Sequence, residues 1–146
     1  GEIIKQADVN LLAFPLEIVN NKNEIKKDLK YYESKIAIEG PAMSHSVLAV
    51  LYARLGEPNK AFELFKKAYV PNKREPFGAL SESATSNNPY FATGAGGMLQ
   101  TVLFGFGGLH ITNEGVIQKN PILPSNWKSL TLKNIGAENK IYYIRN

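Results

Sequence analysis

The 146-residue sequence contains no cysteine, which excludes disulfides, thiol nucleophiles and thiolate metal ligands and leaves the redox compartment open. Histidine is scarce as well. His45 and His110 stand far apart and neither has a carboxylate at ligand spacing, so no dedicated metal site is expected. No apolar run is long enough to span a bilayer; the longest, Met98 to Leu109, is broken by Gln100, Thr101 and several glycines. Signal-peptide and lipidation patterns are also missing, so the chain does not choose between a periplasmic and a cytoplasmic location. Charge of one sign is only slightly in excess, at +4. The lysines between Lys22 and Lys35 and between Lys60 and Arg74 alternate with Glu24, Asp28, Glu33 and Glu63, as on a solvated helix face. Nothing here calls for a cofactor, a nucleic acid or a membrane as partner.

What is present is ordinary globular material: 44% hydrophobic and 21% charged residues, enough for one modest core. Gly1 reads as a residue left by tag removal, and Glu2-Ile3-Ile4 enters an apolar pattern with no preceding cap. The expectation is therefore a piece of a longer protein, with the rest of that protein as its partner.

Ile4, Ala7, Leu11 and Phe14 fall at helical spacing, predicting a helix over 4–14 that Pro15 ends. Asn21-Lys22-Asn23-Glu24 has the form of a capping box opening a helix with Ile25, Leu29 and Tyr32 inward. Val47, Leu48, Val50, Leu51 and Leu55 predict a helix from Met43, with Gly56 at its end. Pro58 opens the next, which buries Ala61, Phe62, Leu64, Phe65, Ala68 and Tyr69. Residues 70–91 read as a long loop rich in Pro, Ser and Asn, and a last helix covers 94–106. After Gly107-Gly108 the pattern changes. Residues 109–112, 116–118, 129–133 and 140–144 alternate or carry β-branched and aromatic residues between turn signals, predicting short strands. The fold class is α+β, helical over about 3–107 with no sheet before Phe91, and neither part looks complete by itself.

Glu39 is the candidate with most chemical potential. It precedes Gly40-Pro41 at the mouth of a helix, where unsatisfied backbone N–H groups favour a carboxylate. A fixed carboxylate can deprotonate water; from spacing alone, helix capping is the commoner use. Lys5 and Gln6 are long donors at the edge of an apolar stretch, suited to sugar hydroxyls or to snorkelling into solvent. Asp8 reads as a local cap or ion-pair partner and His45 as a packed or solvated histidine. Thr93-Gly94-Ala95-Gly96-Gly97 could cradle an anion, but it lacks a phosphate loop's lysine, and close helix packing is the preferred reading. Trp127, Tyr142 and Tyr143 could stack on a sugar, although core packing is the commoner role of such aromatics.

Taken together, Lys5-Gln6-Ala7-Asp8-Val9, Glu39-Gly40-Pro41-Ala42-Met43-Ser44-His45-Ser46, Pro89 to Gln100 and Phe104 to Leu109 resemble, in this order, the C-terminal part of family 65 α-glycoside hydrolases and phosphorylases. The resemblance implies the last helices of an (α/α)6 barrel, over 1–107, followed by part of a C-terminal β-sandwich, over 108–146. It also implies Glu39 as general base, Lys5 and Gln6 as contacts in the −1 subsite, and a general acid outside this chain. Within the family, phosphorylases resemble one another in a Gly-Ser-Ser-Leu-Ser run that holds phosphate and in a histidine before the small-residue helix. Here Gly40-Pro41-Ala42-Met43-Ser44 and Phe91 stand at those places, which is similar to the hydrolase branch of acid trehalases and hydroxylysine-linked glucosyl hydrolases. The expectation is part of an inverting hydrolase of α-linked glucosyl disaccharides or oligosaccharides, inactive without its missing acid. A disaccharide phosphorylase of the same family is the alternative. From a different class, Leu55 to Tyr69 looks like half of a tetratricopeptide repeat, a helical protein-interaction module, though no second copy follows. A homo-oligomer is left open.

Overall fold

A computed structural model describes residues 2–146; Gly1, read above as a tag remnant, lies outside the described residues. Among the described residues the architecture is α+β, with four α-helices, a two-residue ladder ahead of the fourth, and two antiparallel hairpins after it. Helix α1 (Lys22–Tyr32) begins where the Asn21 side chain accepts from the N–H groups of Asn23 (2.9 Å) and Glu24 (3.3 Å), satisfying two of the helix's orphan donors. Helix α2 (Ala42–Arg54) is the centre of the molecule and is buried on nearly every side. Its end is a Schellman motif: Gly56 at φ +85 donates to Ala53, and Glu57 donates to Tyr52. The chain then reverses into α3 (Pro58–Tyr69), with Pro58 in the first turn as the sequence predicts.

Helix α4 (Ala92–Gln100) lies along α2 through a stripe of small residues. A Cβ at Gly94 would stand 3.2 Å from the Ala42 Cβ, and one at Gly97 2.9 Å from Ser46 Oγ. The stripe continues past the α-helix. Residues Thr101–Phe106 widen into a π-helical turn, where Thr101 Oγ1 donates to the Ser46 and Gly97 carbonyls (3.3 and 3.2 Å). Gly105 there sits 3.3 Å, measured from where its Cβ would be, from the Val50 Cα. Close packing is thus the visible work of these glycines.

Strands β3 (Leu109–Thr112) and β4 (Gly115–Gln118) pair around the Asn113-Glu114 turn, and β5 (Ser129–Ile135) pairs with β6 (Lys140–Arg145) around Gly136. They form two separate hairpins rather than one four-stranded sheet, joined where the Tyr142 hydroxyl donates to the Val116 carbonyl at 3.2 Å. Both parts share one core: Leu123 and Ile144 pack with Phe65, Phe106 and the α2 residues. Trp127 lies in the β4–β5 connection, its ring against Phe62, Phe65 and Phe106 at 5.8, 6.2 and 5.1 Å between centroids.

Two expectations are overturned. The apolar stripe at 4–14 is not an α-helix. Ile4 forms a parallel bridge with Ile36, donating to Lys35 (2.8 Å) and accepting from Ala37 (2.9 Å), and only Asp8–Leu12 turns, as a 3-10 segment. Asp8 has φ +47, outside the right-handed helical region, so no continuous helix can run through it. Lys5, Gln6 and Asp8 are therefore not helix neighbours. Ala7 and Phe14 are buried, and Ile4 and Leu11 pack half-buried against the same core, so the spacing found the inward-facing stripe while misplacing the backbone. The second correction is a sheet ahead of Phe91. Within the 70–91 loop, β1 (Lys73–Arg74) and β2 (Ala79–Leu80) make a two-residue antiparallel ladder.

Candidate active site

The N-termini of α2 and α4 lie at one end of the molecule, since Gly94 meets Ala42 while Gly105 meets Val50. Glu39 stands at that end, exposed, two residues ahead of the N-cap Pro41. Its side chain does not cap the helix. The α2 N-terminus makes no side-chain cap bond, and the Ala42 N–H instead reaches the Glu82 carbonyl at 3.4 Å. Among the described residues no side-chain hydrogen bond or ion pair engages the Glu39 carboxylate. Its backbone is held. The Glu39 carbonyl accepts from the Ala84 N–H at 2.8 Å, and Gly40 turns the chain at φ +107 against Ser83 and Glu82. A side chain at Gly40 would be strained in that conformation and would also press on the Ala42 nitrogen at 3.1 Å.

The structure brings Lys5 to the same end. The Ile4–Ile36 bridge lays residues 4–5 beside the segment that leads to Glu39, and the buried Ser44 hydroxyl in the first turn of α2 donates to the Lys5 carbonyl. Both Lys5 and Gln6 are exposed. Ser44 is the serine that remains at the place of the phosphorylase run, and its hydroxyl is committed to this internal bond.

The other candidates sort differently. His45 is a packed residue, 8% exposed, whose Nδ1 finds no hydrogen-bond partner among the described residues. Burial first, and then the Lys67 charge, push it below the ordinary histidine pKa against the pull of Glu33. His110 approaches Glu17 at 3.3 Å; burial and Arg54 hold it low despite that carboxylate. For Glu17, burial acts upward and is outweighed by Arg54 at 2.6 Å and His110, so the carboxyl lies below its usual value. Trp127 is in the aromatic core, and Tyr142 bridges the hairpins. A concavity of about 730 Å³ lies among α1, α2 and α3 and is lined by Lys26, Lys30, Glu33, His45 and Lys67 among others. It takes in Ile38 and not Glu39, so we do not place the chemistry there. Among the described residues no group of three His, Asp or Glu could hold a metal ion.

Sequence reasoning passed over Asn72, Arg74 and Ser81. Buried Asn72 donates to the Ser81 and Glu82 carbonyls (3.1 and 3.2 Å), and the Ser81 hydroxyl contacts the Asn72 and Ser83 carbonyls (3.1 and 2.7 Å). The long loop is thereby built against the turn that carries Glu39. Its polar composition was visible; its partners were not.

Comparison with known proteins gives the family. The family model "Glycosyl hydrolase family 65 central catalytic domain" matches residues 1–74, and the chain belongs to that family. It is 52% identical to a kojibiose hydrolase of Mucilaginibacter mallensis over 99% of this chain and 22% of the relative. It is 49% identical to a kojibiose hydrolase of Flavobacterium johnsoniae over 97% of this chain and 21% of the relative. A solved structure from the human microbiome whose name proposes a kojibiose phosphorylase superposes with a TM-score of 0.69 at 21% identity, covering 99% of this chain and 20% of that one. That likeness shows the fold. The chain spans about a fifth of the length of the relatives it matches.

Proposed function

We propose that this chain is the C-terminal part of an inverting α-glycoside hydrolase acting on an α-linked glucosyl disaccharide of the kojibiose type, and that Glu39 is its general base. The observation that carries the reading is the contrast between Glu39's side chain and its backbone. The carboxylate caps nothing and pairs with nothing among the described residues, while the peptide that follows it is held from both ends, its carbonyl by the Ala84 N–H and its N–H by the Ala37 carbonyl. A carboxylate that contributes nothing visible to the fold, yet is held in place, has the form of a catalytic group. Lys5 and Gln6, exposed at the same end, are assigned to the hydroxyls of the sugar at the cleaved bond. Residues 1–107 would complete an (α/α)6 barrel and 108–146 a β-sandwich portion of the whole enzyme. The apolar groups left bare, Ile3, Ile18 and Leu99 among them, are surface for the missing part to cover.

In such an enzyme Glu39 takes a proton from a water on one face of the sugar while an acid supplied from elsewhere protonates the leaving oxygen. The two carboxyl groups stand roughly 6.5–9.5 Å apart to admit that water. The phosphorylase alternative is disfavoured by Pro41 and Ala42, which carry no hydroxyl, by the committed Ser44, and by Phe91. The repeat-module alternative is disfavoured by the family match, which covers a part of the chain where no repeat recurs.

The test uses the full-length enzyme. Glu39→Gln keeps the shape and removes the base, so kcat should fall about 10²–10⁴-fold, the usual worth of general base catalysis. The first-formed sugar from an α-linkage should be the β-anomer by NMR, and replacing water's role with phosphate should yield no glucose 1-phosphate. Unchanged kcat in Glu39→Gln, or a sugar phosphate as product, overturns the assignment.

A further inference from the structure

Arg74 lies in the loop between α3 and α4, well away in sequence from Glu39. Every donor direction of its guanidinium is used on main-chain carbonyls. Nε donates to Ser86 (3.1 Å). Nη2 donates to Ser83 (3.1 Å), Ala84 (2.7 Å) and Ser86 (2.8 Å), and Nη1 to Pro71 (3.1 Å) and Lys73 (3.0 Å). Among the described residues no carboxylate pairs with it. An arginine spent entirely on carbonyls gains no ion pair. What it gains is the shape of one stretch of backbone, because a planar fork fixes the carbonyls it bridges relative to one another.

That stretch is the one in contact with Glu39. The peptide between the Ser83 and Ala84 carbonyls contributes the Ala84 N–H, which holds the Glu39 carbonyl at 2.8 Å. The Glu82 carbonyl accepts from Ala42 on the other side of the turn, and Ser83 backs Gly40, 3.5 Å from where its Cβ would be. Asn72 and Ser81 secure the beginning of the same segment; the Ser83 carbonyl is shared between the Ser81 hydroxyl and Arg74, and the Ala84 and Ser86 carbonyls are held by Arg74.

We propose that Arg74 is a positioning residue for Glu39: by holding 83–86 it sets the turn on which the carboxylate is carried, and it touches neither substrate nor water. This inference rests on the reading of Glu39 as general base. A displacement of about 1 Å in a catalytic group can reduce turnover by about 10²-fold without altering substrate binding. Loss of Arg74 should therefore appear in kcat and spare KM.

The test is a double-mutant cycle in the full-length enzyme, with melting temperature recorded for every variant. Arg74→Ala should lower kcat by about 10- to 100-fold with KM nearly unchanged. Arg74→Lys, which restores charge but not the fork, should fall in between and serves if the alanine variant does not fold. Azide, a small external nucleophile, should restore turnover to Glu39→Ala. In that azide-rescued background Arg74→Ala should add almost no further loss, because the group it positions is already absent. An equal loss in both backgrounds would show that Arg74 acts on the fold or on the substrate and would overturn the proposal. So would an Arg74→Ala enzyme with normal kcat beside an impaired, azide-rescued Glu39→Ala, which leaves the base assignment standing. A Glu39→Ala enzyme that turns over normally removes the base assignment itself, and this proposal with it.

Discussion

The small-residue face of α4 can be tested by two glycines one residue apart. A Cβ at Gly97 would lie 2.9 Å from Ser46 Oγ, 3.1 Å from Ser46 Cβ and 3.4 Å from the Met43 Cα, whereas one at Gly96 meets nothing within 4 Å. The hydroxyl could rotate away. The Ser46 Cβ cannot, because it is fixed to the α2 backbone, so α2 and α4 must separate by a few tenths of an ångström. Overpacking of this kind costs about 1–3 kcal/mol. Both substitutions gain about 1 kcal/mol of helix propensity, and that gain cancels when the two variants are compared. Gly97→Ala should therefore be less stable than Gly96→Ala by about 1–3 kcal/mol, with Gly96→Ala at or above the parent. Ser46→Ala should recover only the smaller part of the difference, since the Cβ contact stays. Thermal melting of the full-length enzyme, with denaturant midpoints as a second measure, decides the order. If Gly97→Ala melts at or above Gly96→Ala, the two helices do not touch here, and the glycines need another explanation, such as the anion cradle their sequence also allows.

The remaining expectations concern the groups around α2 and α3. The Tyr52 hydroxyl donates to Glu33 at 2.6 Å and Lys60 pairs with the same carboxylate at 2.6 Å. Burial acts to raise Glu33, but these two bonds outweigh it and hold the carboxyl below its ordinary 4.5, while burial and Glu33 push Tyr52 well up. Tyr52→Phe should then cost about 1–2 kcal/mol at pH 7. That difference should fade as pH drops below 4.5 through the folded-state value, because a depressed carboxylate pKa stabilises only above it; a difference that persists in acid would count against the bond. His45 and His110 are both depressed by burial, so the folded state resists their protonation and stability should decline as pH falls below 6.5, before Glu17 and Glu33 contribute their losses below 4.5. Melting across pH 7 to 4 checks the order. Trp127→Ala should remove about 3 kcal/mol of stability, near the lower bound for large aromatic truncations, and leave KM for the sugar unchanged; a rise in KM with stability intact would move Trp127 from the core to the substrate.

How far the sequence reads depends on the range of the interaction that decides each element. Asn21, Gly56 and Pro58 act within a turn of where they stand, and the helices they bound were legible. The same holds for the hairpins, whose turns carry Gly115 and Gly136 at positive φ. The 4–14 segment was misread because a helical spacing of apolar residues reports which side chains face inward and says nothing of a backbone whose hydrogen bonds go to Lys35 and Ala37. The β1–β2 ladder had only a turn signal, Pro76 and Gly78, for two residues on each side carry no period, and its shape comes from Arg74 and Asn72 reaching across nine or more residues to carbonyls. Glu39 was visible as a candidate, but its spacing alone favoured a cap. The geometry, with the cap position passed to Pro41 and the Ala42 N–H given to Glu82, removes the cap reading.

Under the proposed assignment, the same few residues that free Glu39 also close the site to phosphate. A dianion beside the first turn of α2 would need N–H groups and hydroxyls there. Pro41 has neither, the Ala42 N–H is taken by the Glu82 carbonyl, and the Ser44 hydroxyl is taken by the Lys5 carbonyl. A phosphate that did enter would also face the Glu39 carboxylate, a like charge with no cation paired to it among the described residues. Water has none of these objections. It is neutral, it needs an acceptor for one proton, and an uncapped carboxylate supplies that acceptor. The choice between hydrolysis and phosphorolysis is then written less in Glu39 alone than in the bonds that occupy its neighbours. Restoring a serine at Ala42 without also releasing Ser44 and removing Glu39 should not create a phosphorylase.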